Sequence, residues 1–380
     1  MAESRPGRRK RVGVVFGGRS AEHDVSLRSA LTIMGALIES GHDVVPIGIT
    51  REGQWLTSGD PMSELQAGSP LFQIESSSSH EHGKVEEAVE SLSLAARKSS
   101  TGSLVPANGW AGEIDVIFPA LHGPMGEDGT VQGLFELAGV PYVGAGVLAS
   151  SVAMDKALCK QVLDQAGIPQ APWVTTRRID WKRNPDEVIQ VAEELIGYPC
   201  FIKPANLGSS IGISKATDRD QLIAGLDEAC IHDRRIVVEQ GIDAREFEVS
   251  VLGNDEPIAS VVGEIVPGEN HEFYDYEAKY VDDDAALLIP ADIPETTAQT
   301  IRTLAVAAFK EIDCAGIARV DFLMDRHTGD VYLNEINSIP GFTSISMYPK
   351  LWEATGVPIS ELVDRLLDLA LERADERRGG

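Results

Sequence analysis

The sequence predicts an α/β protein of two or three domains, and three observations carry that prediction. Strand-like apolar runs alternate with helical patterns from the start of the chain. The 380 residues, 43% hydrophobic and 24% charged, have an ordinary globular composition and more length than one core usually organises. No repeat of solenoid length is present, and no apolar run approaches the ~18 residues that read as a membrane span.

The elements follow in order. Val12 to Phe16, a helical stretch around Leu27 to Ile38, and Val44 to Ile49 form a βαβ opening. Between about 51 and 112 periodicity fades into Ser, Gly and Glu, including the Ser76 to Ser79 run, so this stretch reads as an inserted, partly mobile surface segment without a part in the chemistry. Ile114 to Phe118, a helix around Gly129 to Leu137 and a short strand at Tyr142 and Val143 complete a first domain. One helix from about Ser150 to Gln165 leads to strands at Cys200 to Lys203 and Ile236 to Glu239. A third region brings long strands, Phe247 to Leu252 and Ile258 to Val266, and a helix whose Ile301, Leu304, Ala305, Ala308, Phe309 and Ile312 recur at steps of three and four as a core stripe. The expected division is a solvated, disordered tail (1–10), an N-terminal α/β domain (11–146), a central region (147–242) and a C-terminal region (243–375).

A formal charge of −26 repels nucleic acid and anionic membrane surfaces, so a bound polyphosphate needs local cations and a divalent metal. The basic run Arg5 to Arg11 lacks interleaved aromatics and reads as a solvated tail. No secretory apolar region follows it, which makes the cytoplasm the default. Cys159, Cys200, Cys230 and Cys314 form no CxxC pair and read as small core residues.

The strongest physical signal is a hairpin, Ile317 to Met324 and Val331 to Asn337, around the turn-rich Asp325 to Asp330. Side-chain alternation puts Arg319 and Asp321 on one face of the first strand, and Glu335 and Asn337 on one face of the second. With pairing symmetric about the turn, Asp321 faces Glu335. Like charges across a ladder invite a compensating cation, and carboxylate and amide oxygens are hard ligands suited to Mg²⁺. The alternative is a polar sheet face on which Arg319 pairs the acids. Ser338 to Ser346 follows directly, and its Gly341 lets backbone N–H groups approach an anion.

Lys203 to Gly212 is a Gly-rich loop with a cation at its root, suited to phosphate but equally readable as a surface turn. Nothing matches GxxxxGK[ST]. Gly144-Ala-Gly146-Val-Leu-Ala149 fits GxGxxG/A, yet the acid expected about twenty residues on, Asp164, falls in a helical pattern, so a dinucleotide site fails its context. Glu22 and His23 follow the first strand, where α/β ligand sites gather; Glu22 reads equally as a helix-start carboxylate and His122 as a turn histidine.

Taken in order, FGGRSAEHDVS, ALHGPMGEDGTVQG, PYVGAG, MDK, IKPANLGSSIG, EFYDYEAKY, ARVDF and NEINSIPGFTSIS resemble the D-alanine:D-alanine ligases of the ATP-grasp superfamily, over about residues 11 to 370. The resemblance implies a Rossmann-like N-terminal domain followed by an ATP-grasp fold of two α+β subdomains, the second carrying the metal site. It implies that Asp321, Glu335 and Asn337 hold two Mg²⁺ or Mn²⁺ ions against ATP, that Lys156 and Lys203 contact phosphate, that Glu246 meets the ribose and that Glu239 lies at the adenine. Glu22 would hold the first D-alanine's ammonium near His122, Arg319 and the Gly341 N–H would meet the oxyanion, and Ser346 and Met347 would orient the second D-alanine. Glu22, Ser209 and Tyr280 would form a hydrogen-bonded set tying the closing loop over the site. A homodimer and K⁺ activation are implied as well. Tyr280 favours the dipeptide, because ester-forming relatives often carry Phe there. The other readings are a D-alanine:D-lactate ligase, another ATP-grasp carboxylate–amine ligase and a non-catalytic nucleotide sensor.

Overall fold

A computed structural model of the chain describes residues 9–67, 69, 114–208, 212–266 and 286–379. The Ser76 to Ser79 run, the tail through residue 8, Ser209 and Tyr280 lie outside the described residues.

Three sheets organise the molecule. The first has the order β3-β2-β1-β4, from β1 (Arg11–Gly17), β2 (Asp43–Ile49), β3 (Trp55–Leu56) and β4 (Val116–Ala120). Here β1 runs parallel to β2 and β4, while β3 adds an antiparallel edge. Six consecutive residues of β1 are buried, as expected of a parallel strand covered on both faces. The second sheet, β5-β8-β6-β7, contains β5 (Trp173–Arg177), β6 (Cys200–Pro204), β7 (Ser214–Ala216) and β8 (Arg235–Gln240). The third has the order β11-β10-β9-β12-β13, from β9 (Ala244–Gly253), β10 (Ile258–Val266), β11 (Ala286–Leu288), β12 (Gly316–Asp325) and β13 (Val331–Asn337).

Each sheet has its own core, but one core joins distant parts of the chain. Val14, Phe16 and Phe118 of the first sheet pack with Phe342, Tyr348 and Trp352, and with Leu362 and Leu366 of the C-terminal helix Ile359–Arg377. Phe342 sits edge-on to Phe118, ring centroids 5.9 Å apart. Burying such a side chain contributes ~1.5–3 kcal/mol, enough to anchor the turn before it.

Two expectations are corrected. The single helix over Ser150 to Gln165 is two helices, Val147–Met154 and Lys156–Gln165, because Asp155 is extended and its carboxylate caps the second by accepting from the Leu158 N–H at 2.9 Å. The 51–112 insertion begins with ordered structure: β3 lies in it, as does the helix Pro61–Ala67, which buries Met62 and Leu65. The Gly144 motif serves close backbone approach, since a Cβ on Gly316 would lie 3.2 Å from the Gly144 nitrogen, and Asp164 lies inside the second of the two helices. All four cysteines are buried and unpaired, with burial pushing Cys159 and Cys314 up to about 12. Among the described residues no helix is long and apolar enough to cross a membrane.

Candidate active site

A cleft is lined by Glu22, His122, Glu127, Lys156, Gly208, Glu248, Arg319, Glu335, Asn337, Gly341, Ser346 and Met347, drawn from all three regions of the chain. One wall is the third sheet. Its register places Asp321 opposite Glu335 on β13 and opposite Glu248 on β9, so three carboxylates form a row across adjacent strands. Directly opposed like charges destabilise a ladder. Arg319 offsets them: its Nε and Nη2 donate to the two Asp321 oxygens at 2.7 and 2.6 Å, and Nε lies 3.0 Å from Glu248. These acids outweigh the cost of burial and hold the guanidinium well above its ordinary value. Glu248 was invisible to sequence reasoning, because it faces Asp321 only through a pairing of strands distant along the chain.

The pairing of Asp321 with Glu335 follows the expectation for a different reason. From the turn the register runs Met324 with Val331 and Phe322 with Leu333, which would set Asp321 against Asn334. A bulge skips Asn334 and brings Glu335 opposite. Asn337 lies across from Arg319 and its amide donates to Asp321 at 3.0 Å. Among the described residues no three His, Cys, Asp or Glu side chains gather in a metal-holding group. The donor set is two carboxylates and an amide, the hard oxygens that suit Mg²⁺.

The facing wall comes from the first sheet. The turn after β1 is shaped by Gly17, whose φ is +90° and whose Cβ would fall 2.2 Å from the Ile49 carbonyl oxygen. Glu22 is the N-cap of helix His23–Glu39, yet its carboxylate makes no capping hydrogen bond. It is buried against Gly123 and Gly208, where added Cβ atoms would approach Oε2 to 2.6 and 3.2 Å. His122 is fully committed: Nδ1 donates to the Ile339 carbonyl at 3.1 Å and Nε2 meets Ser29 Oγ at 3.0 Å. Burial holds its imidazole below the ordinary value despite the nearby Glu22 charge, so the ring is neutral.

Glu127, missed from the sequence although it lies in the ALHGPMGEDG stretch, accepts from the Gly123 N–H at 2.6 Å and from the Ile339 N–H. The Ile339 peptide groups are therefore gripped by Glu127 and by His122. Burial and the Glu22 charge push Glu127 up to about 8. Its signal was an acid five residues beyond His122 in a Gly-rich turn.

The helix Lys156–Gln165 and strand β6 supply the cations. Lys156 opens its helix and Nζ donates to the Leu207 carbonyl at 2.6 Å, within the Gly-rich loop. Lys203 Nζ donates to Glu239 at 2.5 Å, and Lys160 pairs with the other Glu239 oxygen. Although burial opposes ionisation, the two lysines hold Glu239 down to about 2. Glu239 is thus committed to a buried ion triad, and Lys160 escaped sequence reasoning because it lies within an amphipathic helix. Glu246 is half-buried on β9, two residues from Glu248 on the same face. Ser346 Oγ accepts from the Thr343 N–H at 3.0 Å, and Met347 is buried at the start of the next helix. Nothing places Ser209 or Tyr280, which lie outside the described residues.

A family profile described as "D-ala D-ala ligase N-terminus" matches residues 11–145, and one described as "D-ala D-ala ligase C-terminus" matches residues 162–368. The D-alanine--D-alanine ligase of Heliobacterium modesticaldum is 50% identical over 372 residues, covering 97% of this chain and 96% of the relative. That of Geobacillus thermodenitrificans is 49% identical over 373 residues, covering 97% of both. Among solved structures, the D-alanine-D-alanine ligase from Coxiella burnetii superposes with a TM-score of 0.77 at 33% identity, covering 98% of this chain and 97% of that one. The VanG D-Ala:D-Ser ligase from Enterococcus faecalis gives the same TM-score and identity, covering 96% and 100%. The chain belongs to the D-alanine–D-alanine ligase family, with its ATP-grasp architecture.

Proposed function

We infer that the protein joins two D-alanine molecules into D-alanyl-D-alanine at the expense of ATP, for peptidoglycan precursor synthesis. The observation that carries this reading is one cleft lined on one side by Glu22, a carboxylate fit for an amino acid's ammonium, and on the other by Arg319 and Lys156, cations fit for phosphoryl oxygens. Nearly full-length similarity to D-alanine ligases supports the same reaction.

In this reading a carboxylate oxygen of the first D-alanine attacks the γ-phosphorus and ADP leaves, giving an acyl phosphate. The second D-alanine's amine attacks its carbonyl carbon, the proton passes to solvent, and phosphate departs from the tetrahedral intermediate. Glu22 holds the first ammonium, with His122 shaping the turn beside it. Arg319 and the Gly341 N–H face the charge that develops on oxygen. Lys156 and Lys203 take phosphate oxygens, Glu246 the ribose, and Glu239 keeps Lys203 in place at the adenine side. Ser346 and the Met347 backbone orient the second D-alanine, while Ser209 and Tyr280 join Glu22 in closing the site. The acid row supports Asp321, Glu335 and Asn337 as holders of two Mg²⁺, which when bound neutralise phosphate charge. The division of labour follows the sheets: 11–146 for the first substrate, with 147–242 and 243–375 enclosing the nucleotide. A homodimeric state and K⁺ activation belong to the same proposal.

The test is phosphate release with ATP, Mg²⁺ and either D- or L-alanine, with the product identified by mass. D-alanine-dependent release with D-alanyl-D-alanine is expected. Preference for D-lactate or D-serine as the second substrate at neutral pH would overturn the dipeptide assignment, and release with neither alanine would overturn the reaction.

A further inference from the structure

Helix His23–Glu39 carries two fully buried serines one turn apart, an unfavourable choice for a helix interior unless their hydroxyls are used. Ser26 accepts from the Gly17 N–H at 2.7 Å and donates to the Ala120 carbonyl, which fixes the turn after β1. Ser29 reaches elsewhere. Its Oγ accepts from the Phe342 N–H at 3.2 Å and meets His122 Nε2 at 3.0 Å.

Hydrogen-bonding chemistry assigns the protons along this network. The Ile339 carbonyl can only accept, so His122 Nδ1 carries the hydrogen. A neutral ring leaves Nε2 as an acceptor, so the Ser29 hydroxyl donates to it and keeps its lone pairs for the Phe342 N–H. The Ile339 carbonyl and the Phe342 N–H are thereby pinned on either side of Pro340 and Gly341. Pro340 has a locked φ and no N–H, so the Gly341 N–H, which makes no hydrogen bond among the described residues, is a backbone donor bracketed between two fixed points.

We propose that Ser29 is a positioning residue for the ligation, holding the Gly341 N–H on the oxyanion through Phe342. The proposal rests on the reading of the cleft as a ligase site with Gly341 as an oxyanion donor. Misplacing such a donor by a fraction of an ångström costs rate and leaves ground-state binding largely intact.

The test compares Ser29→Ala and Ser29→Thr with the wild-type enzyme in steady-state kinetics and amide exchange. Ser29→Ala is expected to lower kcat on the order of tenfold to a hundredfold with little change in the KM for ATP. Exchange at the Phe342 amide should quicken by about tenfold, while the Ser26-held Gly17 amide is unchanged. Ser29→Thr, which keeps the hydroxyl, should restore most of both. A wild-type kcat in Ser29→Ala, or unchanged Phe342 exchange, would overturn the proposal. Should the alanine variant fail to fold, Ser29→Cys, a poorer acceptor in the same place, carries the same two readouts. A wild-type protein that makes no D-alanyl-D-alanine would instead refute the ligase reading, and the exchange comparison would still test the hydrogen bond.

Discussion

Asp321 faces Glu335 across the hairpin because Asn334 is bulged out of β13, which moves Glu335 from opposite the fully buried Val320 to opposite an acid. A one-residue slip in a strand exchanges its faces, so the bulge selects which side of β13 meets the cleft. Together with Glu248, the pair concentrates negative charge next to the half-buried Arg319.

Glu335→Gln keeps the shape and removes one charge from this row. Thermal unfolding is expected to shift by only a few degrees, because a like-charge contact is relieved. Mg²⁺-dependent turnover should fall by roughly a hundredfold or more. An active variant would show the metal site to be elsewhere.

Glu239→Gln should behave in the opposite way. It leaves Lys203 and Lys160 facing each other in a buried site without their shared counter-ion, a change that typically costs ~3–5 kcal/mol. The native carboxylate titrates at about 2 against an unfolded value of 4.5, so its stabilisation is fully present above pH 4.5 and is lost as pH falls toward 2. Denaturant titrations from pH 7 down to pH 3 should show the wild-type advantage over Glu239→Gln shrinking across that window.

Much of this was legible in the chain. The hairpin around Asp325 to Asp330 and the strands of the βαβ opening follow from period-two alternation and turn residues. The break at Asp155 was hidden because Met154-Asp155-Lys156 preserves helical periodicity, and only the cap's competing hydrogen bond ends one helix and starts the next. Glu248 and Lys160 acquire roles through partners in other strands and helices, and Ser29 through Phe342, 313 residues away. No local pattern encodes such contacts.

Glu127 gives a pH dependence of the other sign. Its folded value of about 8 lies above the ordinary 4.5, so the protonated acid stabilises the metal-free protein below pH 4.5, and that stabilisation is lost as pH rises through 8. Glu127→Gln, which cannot ionise, should gain stability relative to wild type between pH 5 and pH 9 by up to a few kcal/mol. Equal pH dependence of the two proteins in urea titrations would contradict this role of the Glu127 carboxyl.

Gly123→Ala tests the Glu22 wall. The new Cβ would lie 2.6 Å from Glu22 Oε2 at a residue with φ of +74°. The carboxylate must move, so the KM for the first D-alanine should rise by about tenfold or more, while the nucleotide affinity stays near wild type. Unchanged D-alanine kinetics would remove Glu22 from the substrate site.

The most direct measurement of the central claim follows oxygen. The enzyme is given ATP, Mg²⁺ and D-alanine labelled with ¹⁸O in both carboxylate oxygens, and the released phosphate is weighed by mass spectrometry. Attack by the carboxylate on the γ-phosphorus requires one ¹⁸O in each phosphate formed together with D-alanyl-D-alanine. Unlabelled phosphate would mean that water attacks ATP in this cleft, and the acyl phosphate account would fall.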